Sequence, residues 1–224
     1  MDITRVTNFH DLVSAPFAEE INAICWARDL QGDFSEIVEK LNLSGNIKEI
    51  EVEELRELQL TDQGSLAREI LLNDLNLLKD HGASPVLNLI KYYDKDDEHS
   101  FFPTDVYSFH VDRSPIPVDT FLCTYYGDSS EILPNSEAIK KVLIPEIRSE
   151  LKKLCTGTDI DFESFLSDNF FDLHYLPKAN ANPISLGLGN LWRLAIDHPE
   201  SLVPPCVHRA PREKSGKTRL LLIC

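Results

Sequence analysis

Val106-Tyr-Ser-Phe-His-Val-Asp112 has the composition of a β-strand and ends in a His-x-Asp motif. β-Branched and aromatic residues favour strands, and side chains two residues apart on a strand point to the same face, so we expect His110 and Asp112 to lie side by side. The seven His and 37 Asp and Glu residues predict about one such motif by chance, and the chain has two. The other motif, His198-Pro-Glu200, contains a proline that suits a turn better than a strand, so we interpret it as a loop.

A third candidate ligand, His208, lies ninety-six residues after Asp112, and the chain then leads to an apolar predicted strand at residues 218–223. Two imidazoles and one carboxylate are the ligand set of non-haem Fe(II) oxygenases, in which other iron positions stay open for an oxidant and a cosubstrate. The sequence therefore predicts metal ligands at His110, Asp112 and His208. Cys206 leaves one alternative open, because a thiolate that joined His208 would favour zinc over iron.

The order and spacing of these residues resemble those of the Fe(II)/2-oxoglutarate-dependent oxygenases. In that family a double-stranded β-helix, a jelly-roll or cupin-like fold, supplies a His-x-Asp motif, a distal His on a later strand, and a basic residue further along. The resemblance implies that His110, Asp112 and His208 bind Fe(II). It also implies that Arg219, eleven residues after His208, binds a carboxylate of the cosubstrate 2-oxoglutarate.

A closer resemblance is to a small bacterial domain family with three short motifs. This chain matches them at Phe109-His-Val-Asp-Arg113, Cys123-Thr-Tyr-Tyr-Gly127 and His208-Arg-Ala-Pro211. The match covers roughly the second half of the chain. Because that family has no settled activity, the resemblance supports a fold and a metal site and leaves the substrate open.

Two further residues are candidates for binding the cosubstrate. Arg219 precedes an apolar run, so its guanidinium is expected in a half-buried pocket, where a carboxylate is the matching partner. The alternative is an arginine that extends to solvent or pairs with one of the many acids. Tyr125 lies on a predicted strand over residues 121–126, and its hydroxyl is a candidate to share the cosubstrate. Its alternative role is that of a packed core tyrosine with a satisfied hydroxyl.

The length and the hydrophobic content predict one domain of the α+β class, because 224 residues with 42% hydrophobic content suffice for a sizeable core. We expect N-terminal helices to buttress a double-stranded β-helix. Residues 1–100 are assigned mainly to the helical buttress, and residues 101–224 to the β-helix core that carries the metal site.

Several elements are predicted around the site. A capping box that starts at Asp33 predicts one helix, and an apolar stripe over residues 65–80 predicts another. Residues 135–154 are expected to form a helix that a proline kinks or splits. Residues 170–175 are expected to form a strand on which His174 has a structural role.

Charge and cysteine content bound the partners and the compartment. The formal net charge of −15 argues against nucleic acid or an anionic membrane as the main partner, because both require a basic footprint. No apolar run is long enough for a membrane span, and the first residues lack a secretory signal, so a cytoplasmic location is expected. Five scattered cysteines without a Cys-x-x-Cys pair indicate neither a disulfide framework nor a zinc ribbon.

The sequence thus predicts an Fe(II)/2-oxoglutarate-dependent dioxygenase that oxidises an unidentified small molecule or peptide and releases succinate and CO2. Two alternatives remain at this point. One is a cupin-like protein that binds zinc or another divalent ion without redox turnover. The other is a non-catalytic interaction module that retains the barrel.

Overall fold

The computed structural model describes residues 3–95, 101–156, 158–212 and 217–224. Short 3-10 helices occupy Asn135–Glu137, Lys141–Leu143 and Phe171–Leu173. The α-helices are α1 (Phe9–Ser14), α2 (Phe34–Lys40), α3 (Val52–Glu57), α4 (Asp62–Asp80), α5 (Pro145–Leu154) and α6 (Asp159–Asp168). The strands are β1 (Thr4–Val6), β2 (Ala23–Trp26), β3 (Ile47–Glu49), β4 (Val86–Ile90), β5 (Phe109–His110), β6 (Asp119–Tyr126), β7 (Glu131–Leu133), β8 (Ala138–Lys140), β9 (His174–Pro177), β10 (Ile184–Ser185), β11 (Leu191–Ala195), β12 (Val207–Arg209) and β13 (Arg219–Ile223).

The strands form two sheets. The larger sheet has seven strands in the order β1-β2-β11-β6-β13-β4-β3, and the smaller has six in the order β10-β7-β12-β5-β9-β8. All neighbouring strands are antiparallel except β1 and β2, which are parallel. The fold is therefore a mixed α+β arrangement with two large, largely antiparallel sheets, compatible with a β-sandwich or a jelly roll.

The seven-stranded sheet is buried on both faces, as the alternation along β6 illustrates. Phe121, Cys123 and Tyr125 pack into a core that includes the buried leucines of α4. Leu122 points the other way, into a core shared with Ile132 of the smaller sheet. Because successive strand residues point to opposite faces, β6 has a helix face and a sheet face. All residues of β6 except its two ends are buried, as expected for a strand covered on both sides.

The first hundred residues provide strands as well as helices, since β1 to β4 all belong to the seven-stranded sheet. The helix predicted over residues 65–80 is α4, which begins three residues earlier, where the Thr61 side chain accepts from the Gly64 N–H. Asp33 caps α2 as predicted. The capping box is not completed, because the Glu36 carboxylate accepts from the Thr61 N–H and hydroxyl instead.

Two predictions in the second half of the chain are wrong in part. Residues 135–154 do not form one kinked helix: they contain two 3-10 turns, the strand β8 and the helix α5, with Pro145 in the first turn of α5. Proline is well suited to that position, where no backbone N–H is needed. Only the end of residues 170–175 is a strand, because Phe170 adopts a left-handed conformation with a φ of 57° and a 3-10 turn follows it.

Over the described part of the chain, no helix is both long enough and apolar enough to cross a membrane.

Candidate metal centre

Two neighbouring strands bring the three predicted metal ligands together. His110 on β5 and His208 on β12 are directly paired across the antiparallel ladder, and their ring centroids lie 4.6 Å apart. Asp112 follows β5, and its Oδ2 lies 3.6 Å from Nε2 of His208. One ligand atom from each of the three residues lies within 4.8 Å of the other two. The three side chains therefore form a single group with metal-binding chemistry.

Both imidazoles are oriented by a backbone carbonyl two residues earlier in the chain. Nδ1 of His110 lies 2.8 Å from the carbonyl oxygen of Ser108, and Nδ1 of His208 lies 3.2 Å from that of Cys206. A carbonyl oxygen only accepts, so each Nδ1 carries the proton and each Nε2 presents its lone pair. This is the tautomer and the type of outer hydrogen bond expected of metal-binding histidines.

The electrostatic environment favours a neutral His110 imidazole and an ionised Asp112 carboxylate. Burial, together with the charge of His208, lowers the pKa of His110 to about 4. Burial on its own would raise the pKa of Asp112, but the neighbouring His208 and the hydrogen bond from Thr120 outweigh it and lower that pKa. The group therefore presents a neutral His110 nitrogen and a negative Asp112 oxygen beside the His208 imidazole, a donor set that suits a divalent transition metal ion.

The Asp112 carboxylate and its backbone are held by neighbouring elements. The Thr120 hydroxyl on β6 donates to Oδ2 of Asp112 at 2.5 Å. The Asp112 carbonyl oxygen accepts from the Asp197 N–H at 2.8 Å. The Arg113 guanidinium in turn contacts the carboxylates of both Asp172 and Asp197. Arg113 of the Phe-His-x-Asp-Arg motif thus fixes the chain that carries Asp112, and it is itself committed to two carboxylates.

The geometry fits a three-ligand metal site with open positions. Ligands at about 2.1 Å from a metal lie roughly 3 to 3.5 Å apart from one another. The Asp112 and His208 atoms are 3.6 Å apart, and the three ligand atoms all lie within 4.8 Å of one another, so metal binding would draw the side chains closer together. The His208 side chain is 7% exposed, whereas that of Asp112 is 34% exposed. The group therefore opens to solvent on the Asp112 side, and three ligands leave room for exchangeable ones.

Arg219, the predicted cosubstrate anchor, lies at the start of β13 and is 1% exposed. Its Nη2 donates to the Ser130 hydroxyl at 3.1 Å. Ser130 precedes Ile132 by two residues, and Ile132 is directly paired with His208. The guanidinium thus extends from the larger sheet to the start of β7, the neighbour of the strand that carries His208. Gly127, with a φ of 88°, lies against the start of β13, where a Cβ would lie 2.6 Å from the Thr218 carbonyl oxygen, so the close packing beside Arg219 requires glycine.

Tyr125, the second predicted cosubstrate residue, lies on the helix face of β6. Its hydroxyl donates to Oδ2 of Asp74 at 2.6 Å, and Oδ1 of Asp74 accepts from Nη1 of Arg28 at 2.7 Å. This position does not agree with a cosubstrate role, because Thr120 and the metal ligands lie on the other side of the sheet. The structure makes Tyr125 part of a buried network between α4 and β6. A lone acid in the apolar stripe of α4 was the sequence signal for that network.

The other histidine and cysteine candidates lie outside the group. His198 is in a loop, as predicted, where its Nδ1 accepts from the Glu200 N–H. His174 is paired with His110 across β5 and β9, and its ring contacts the edge of Phe102. Cys206 is buried in the core between the sheets, and burial raises the pKa of its thiol. Cys206 therefore contributes a backbone carbonyl, not a thiolate, to the present arrangement.

Two residues near the site were missed by sequence reasoning. Thr120 holds the Asp112 carboxylate, but a threonine within an apolar strand carries no specific signal before the strand partners are known. Lys141 is buried close to Ser108, which precedes His110 by two residues. A lysine next to an apolar segment is common on protein surfaces, so its burial could not be predicted from the sequence.

No family model matches the chain, and neither a curated protein nor a solved structure was found to be similar to it. The functional argument therefore depends on the site itself.

Proposed function

We propose that the protein is an Fe(II)/2-oxoglutarate-dependent oxygenase. The observation that carries the proposal is the convergence of His110, Asp112 and His208 from two adjacent strands. Nδ1 of each imidazole faces a backbone carbonyl, which leaves Nε2 as the metal-binding atom. Two histidines and one carboxylate on one side of a metal are the ligand set of non-haem Fe(II) oxygenases. A structural zinc site would more often be closed by four protein ligands.

The order of the strands supports the proposal independently of the ligands. Eight strands, taken in chain order without β8 and β9, form four antiparallel pairs: first with last, second with seventh, third with sixth, and fourth with fifth. Those pairs are β4 with β13, β5 with β12, β6 with β11, and β7 with β10. This pairing, split between two sheets, supports our inference of a jelly roll, the double-stranded β-helix. We infer that β8 and β9 extend the smaller sheet beyond it.

The position of Arg219 supports 2-oxoglutarate as the cosubstrate. A guanidinium that is almost fully buried beside the metal-binding strand is suited to a carboxylate, because its planar fork matches two carboxylate oxygens. Ser130 shares the same position and would add a hydroxyl donor. A dicarboxylate that binds the metal through one end and Arg219 through the other would span this part of the site.

The residues of the chain have defined tasks in the proposed reaction. His110, Asp112 and His208 would hold the metal and leave its other coordination positions to ligands from solution. Thr120 keeps the Asp112 carboxylate ionised and oriented, and Arg219 orients the cosubstrate, so the reacting groups meet in a fixed arrangement. When bound, Fe(II) would supply the oxidising chemistry, in which O2 places one oxygen atom in succinate, CO2 is released, and the other oxygen atom oxidises the substrate.

The test is anaerobic loading with Fe(II), followed by addition of 2-oxoglutarate and oxygen and measurement of succinate. We expect one metal ion per chain and succinate formation that depends on iron, even if it is slow without the primary substrate. His208→Ala should abolish both, whereas His198→Ala, which removes a loop histidine outside the group, should change neither.

The outcomes separate the proposal from its alternatives. Tight binding of a divalent ion without succinate under any condition would favour a cupin-like metal protein without redox turnover. If neither iron, manganese nor zinc binds, the metal site itself is wrong. If His198→Ala loses metal binding and His208→Ala does not, then His198, and not His208, is the metal ligand.

A further inference from the structure

Lys141 lies on the side of the metal group opposite to Arg219. Lys140 pairs with Tyr175 on β9, so Lys141 follows beside His174. His174 pairs with His110, and His110 pairs with His208. A row of polar side chains therefore crosses the smaller sheet from Lys141 to His208.

The groups in direct contact with the Lys141 ammonium are neutral. The residue is 4% exposed, and its Nζ donates to the Pro103 carbonyl oxygen at 2.9 Å and to the Ser108 hydroxyl at 2.6 Å. The Phe102 ring centroid lies 4.8 Å from Nζ. Among the described residues, no carboxylate oxygen comes within 4.0 Å of this ammonium. Burial lowers the pKa of Lys141 to about 8, against the opposing charge of Asp105.

A buried cation without a matched anion is costly, because desolvation removes its hydration and neutral acceptors replace only part of it. An ammonium has three N–H donors, and two of them have acceptors here. A purely structural role, in which Lys141 ties residues 103–108 to the end of β8, would be served by a neutral donor at lower cost. The Phe102 ring and the more distant charge of Asp105 offset part of this cost, and the retained charge suits an anionic ligand in direct contact with the ammonium.

Ser108 links this ammonium to the metal group. Its hydroxyl accepts from Lys141, and its carbonyl oxygen lies 2.8 Å from Nδ1 of His110. An anion that contacted Nζ would thus lie beside the segment that leads into His110. The adjoining wall is aromatic, since Phe102 contacts the edges of Phe171 and His174.

We propose that Lys141 binds a carboxylate of the primary substrate, so that the substrate is an organic acid held on the His174 side of the metal group. This inference rests on the proposed function, in which the cosubstrate takes the Arg219 side. Each cation then binds one anion. The Arg219 guanidinium binds the cosubstrate, and the Lys141 ammonium binds the substrate.

The test uses the full-length protein loaded with redox-inert Zn(II) and saturated with 2-oxoglutarate, and the probe is acetate, the smallest carboxylate with a carbon body. Acetate binding is followed through the side-chain ε-carbon resonance of Lys141, labelled with ¹³C-lysine and assigned by substitution. Lys141→Met removes the charge and keeps the length of the side chain. Lys140→Met is the matched control, because it removes the same charge from the preceding residue, whose side chain is directed differently.

We expect acetate to shift the Lys141 resonance, and Lys141→Met to weaken acetate binding by at least about tenfold, the scale of a lost charge-assisted hydrogen bond. Zinc binding, 2-oxoglutarate binding and the thermal unfolding midpoint should match those of Lys140→Met. Lys141→Arg should retain part of the acetate affinity.

Three results would overturn the inference. They are an unmoved Lys141 resonance in the wild type, equal acetate affinity in wild type and Lys141→Met, and a loss of 2-oxoglutarate affinity in place of acetate affinity. If Lys141→Met does not fold, the wild-type resonance still decides the question. Failure of the wild type to bind zinc would instead count against the proposed function, and the same acetate titration of the metal-free protein would then test Lys141 alone.

Discussion

Replacement of Thr120 by valine should weaken metal binding although Thr120 is not a ligand. Its hydroxyl donates to Oδ2 of Asp112 at 2.5 Å, and that oxygen lies 3.6 Å from Nε2 of His208. Valine keeps nearly the same shape at this buried position and removes only the donor. Loss of such an outer partner typically reduces metal affinity 10- to 100-fold, which corresponds to about 1.4 to 2.7 kcal/mol.

The effect should grow as the pH falls. The hydrogen bond from Thr120 helps to hold the pKa of Asp112 below its usual value of 3.8, against the effect of burial. In Thr120→Val that pKa rises, so protons compete with the metal for the carboxylate at a higher pH. The same pKa change affects folding stability. A carboxyl group whose pKa is lower in the folded than in the unfolded state stabilises the protein at pH values above its unfolded-state pKa. That stability is lost as the pH falls through the folded-state pKa. The variant should lose it at a higher pH than the wild type.

The assay is a calorimetric titration with Mn(II) at neutral and at mildly acidic pH. Thr124→Val is the matched control, since Thr124 lies four residues along the same strand and its buried hydroxyl makes no hydrogen bond with the residues described. Thr124→Val should bind Mn(II) as the wild type does. Unchanged affinity in Thr120→Val, or an equal loss in both variants, would refute the argument.

Three further outcomes follow from the geometry. Arg219→Met should lower 2-oxoglutarate affinity about 10- to 100-fold, the equivalent of a lost charge-assisted bond, with metal affinity unchanged in calorimetry; equal affinity would remove Arg219 as the anchor. Tyr125→Phe should lower the free energy of unfolding by about 1.5 to 3 kcal/mol in urea, because it removes a buried bond to Asp74, and should leave metal and 2-oxoglutarate binding intact. Cys206→Ala should retain metal affinity within a few-fold, and a complete loss of zinc binding would revive the thiolate alternative.

Local sequence was sufficient for the pair His110 and Asp112. The two-residue period of an extended chain puts their side chains on one face whatever surrounds them. The structure brings them together although β5 is only two residues long. The loop at His198 was predicted for an equally local reason, since proline cannot donate to a strand ladder.

The helix ends could also be predicted from the local sequence, but the side-chain partners at those ends could not. Asp33 caps α2 through N–H groups two and three residues away, which the sequence predicts. Glu36 binds Thr61, twenty-five residues later, because the packing of α2 against α4 offers a better donor than the start of its own helix.

Distant pairings required the tertiary structure. Nothing local distinguishes the face of β6 that carries Thr120 from the face that carries Tyr125, because both are buried and a buried strand has no polar side. The helices cover one face and the smaller sheet covers the other. Tyr125 lies on the helix-covered face, away from the predicted site, and donates to Asp74.

The sequence by itself determined which side chains have metal-binding chemistry and that two of them share a face, because residue type and strand period are properties of the chain alone. The tertiary structure decided that His208 pairs with His110, that Thr120 holds Asp112, and that Lys141 is buried beside Ser108. These contacts join residues that are separated along the chain. They exist only because the strands pair in one register, which is selected by the burial of whole sheet faces and not by any single segment.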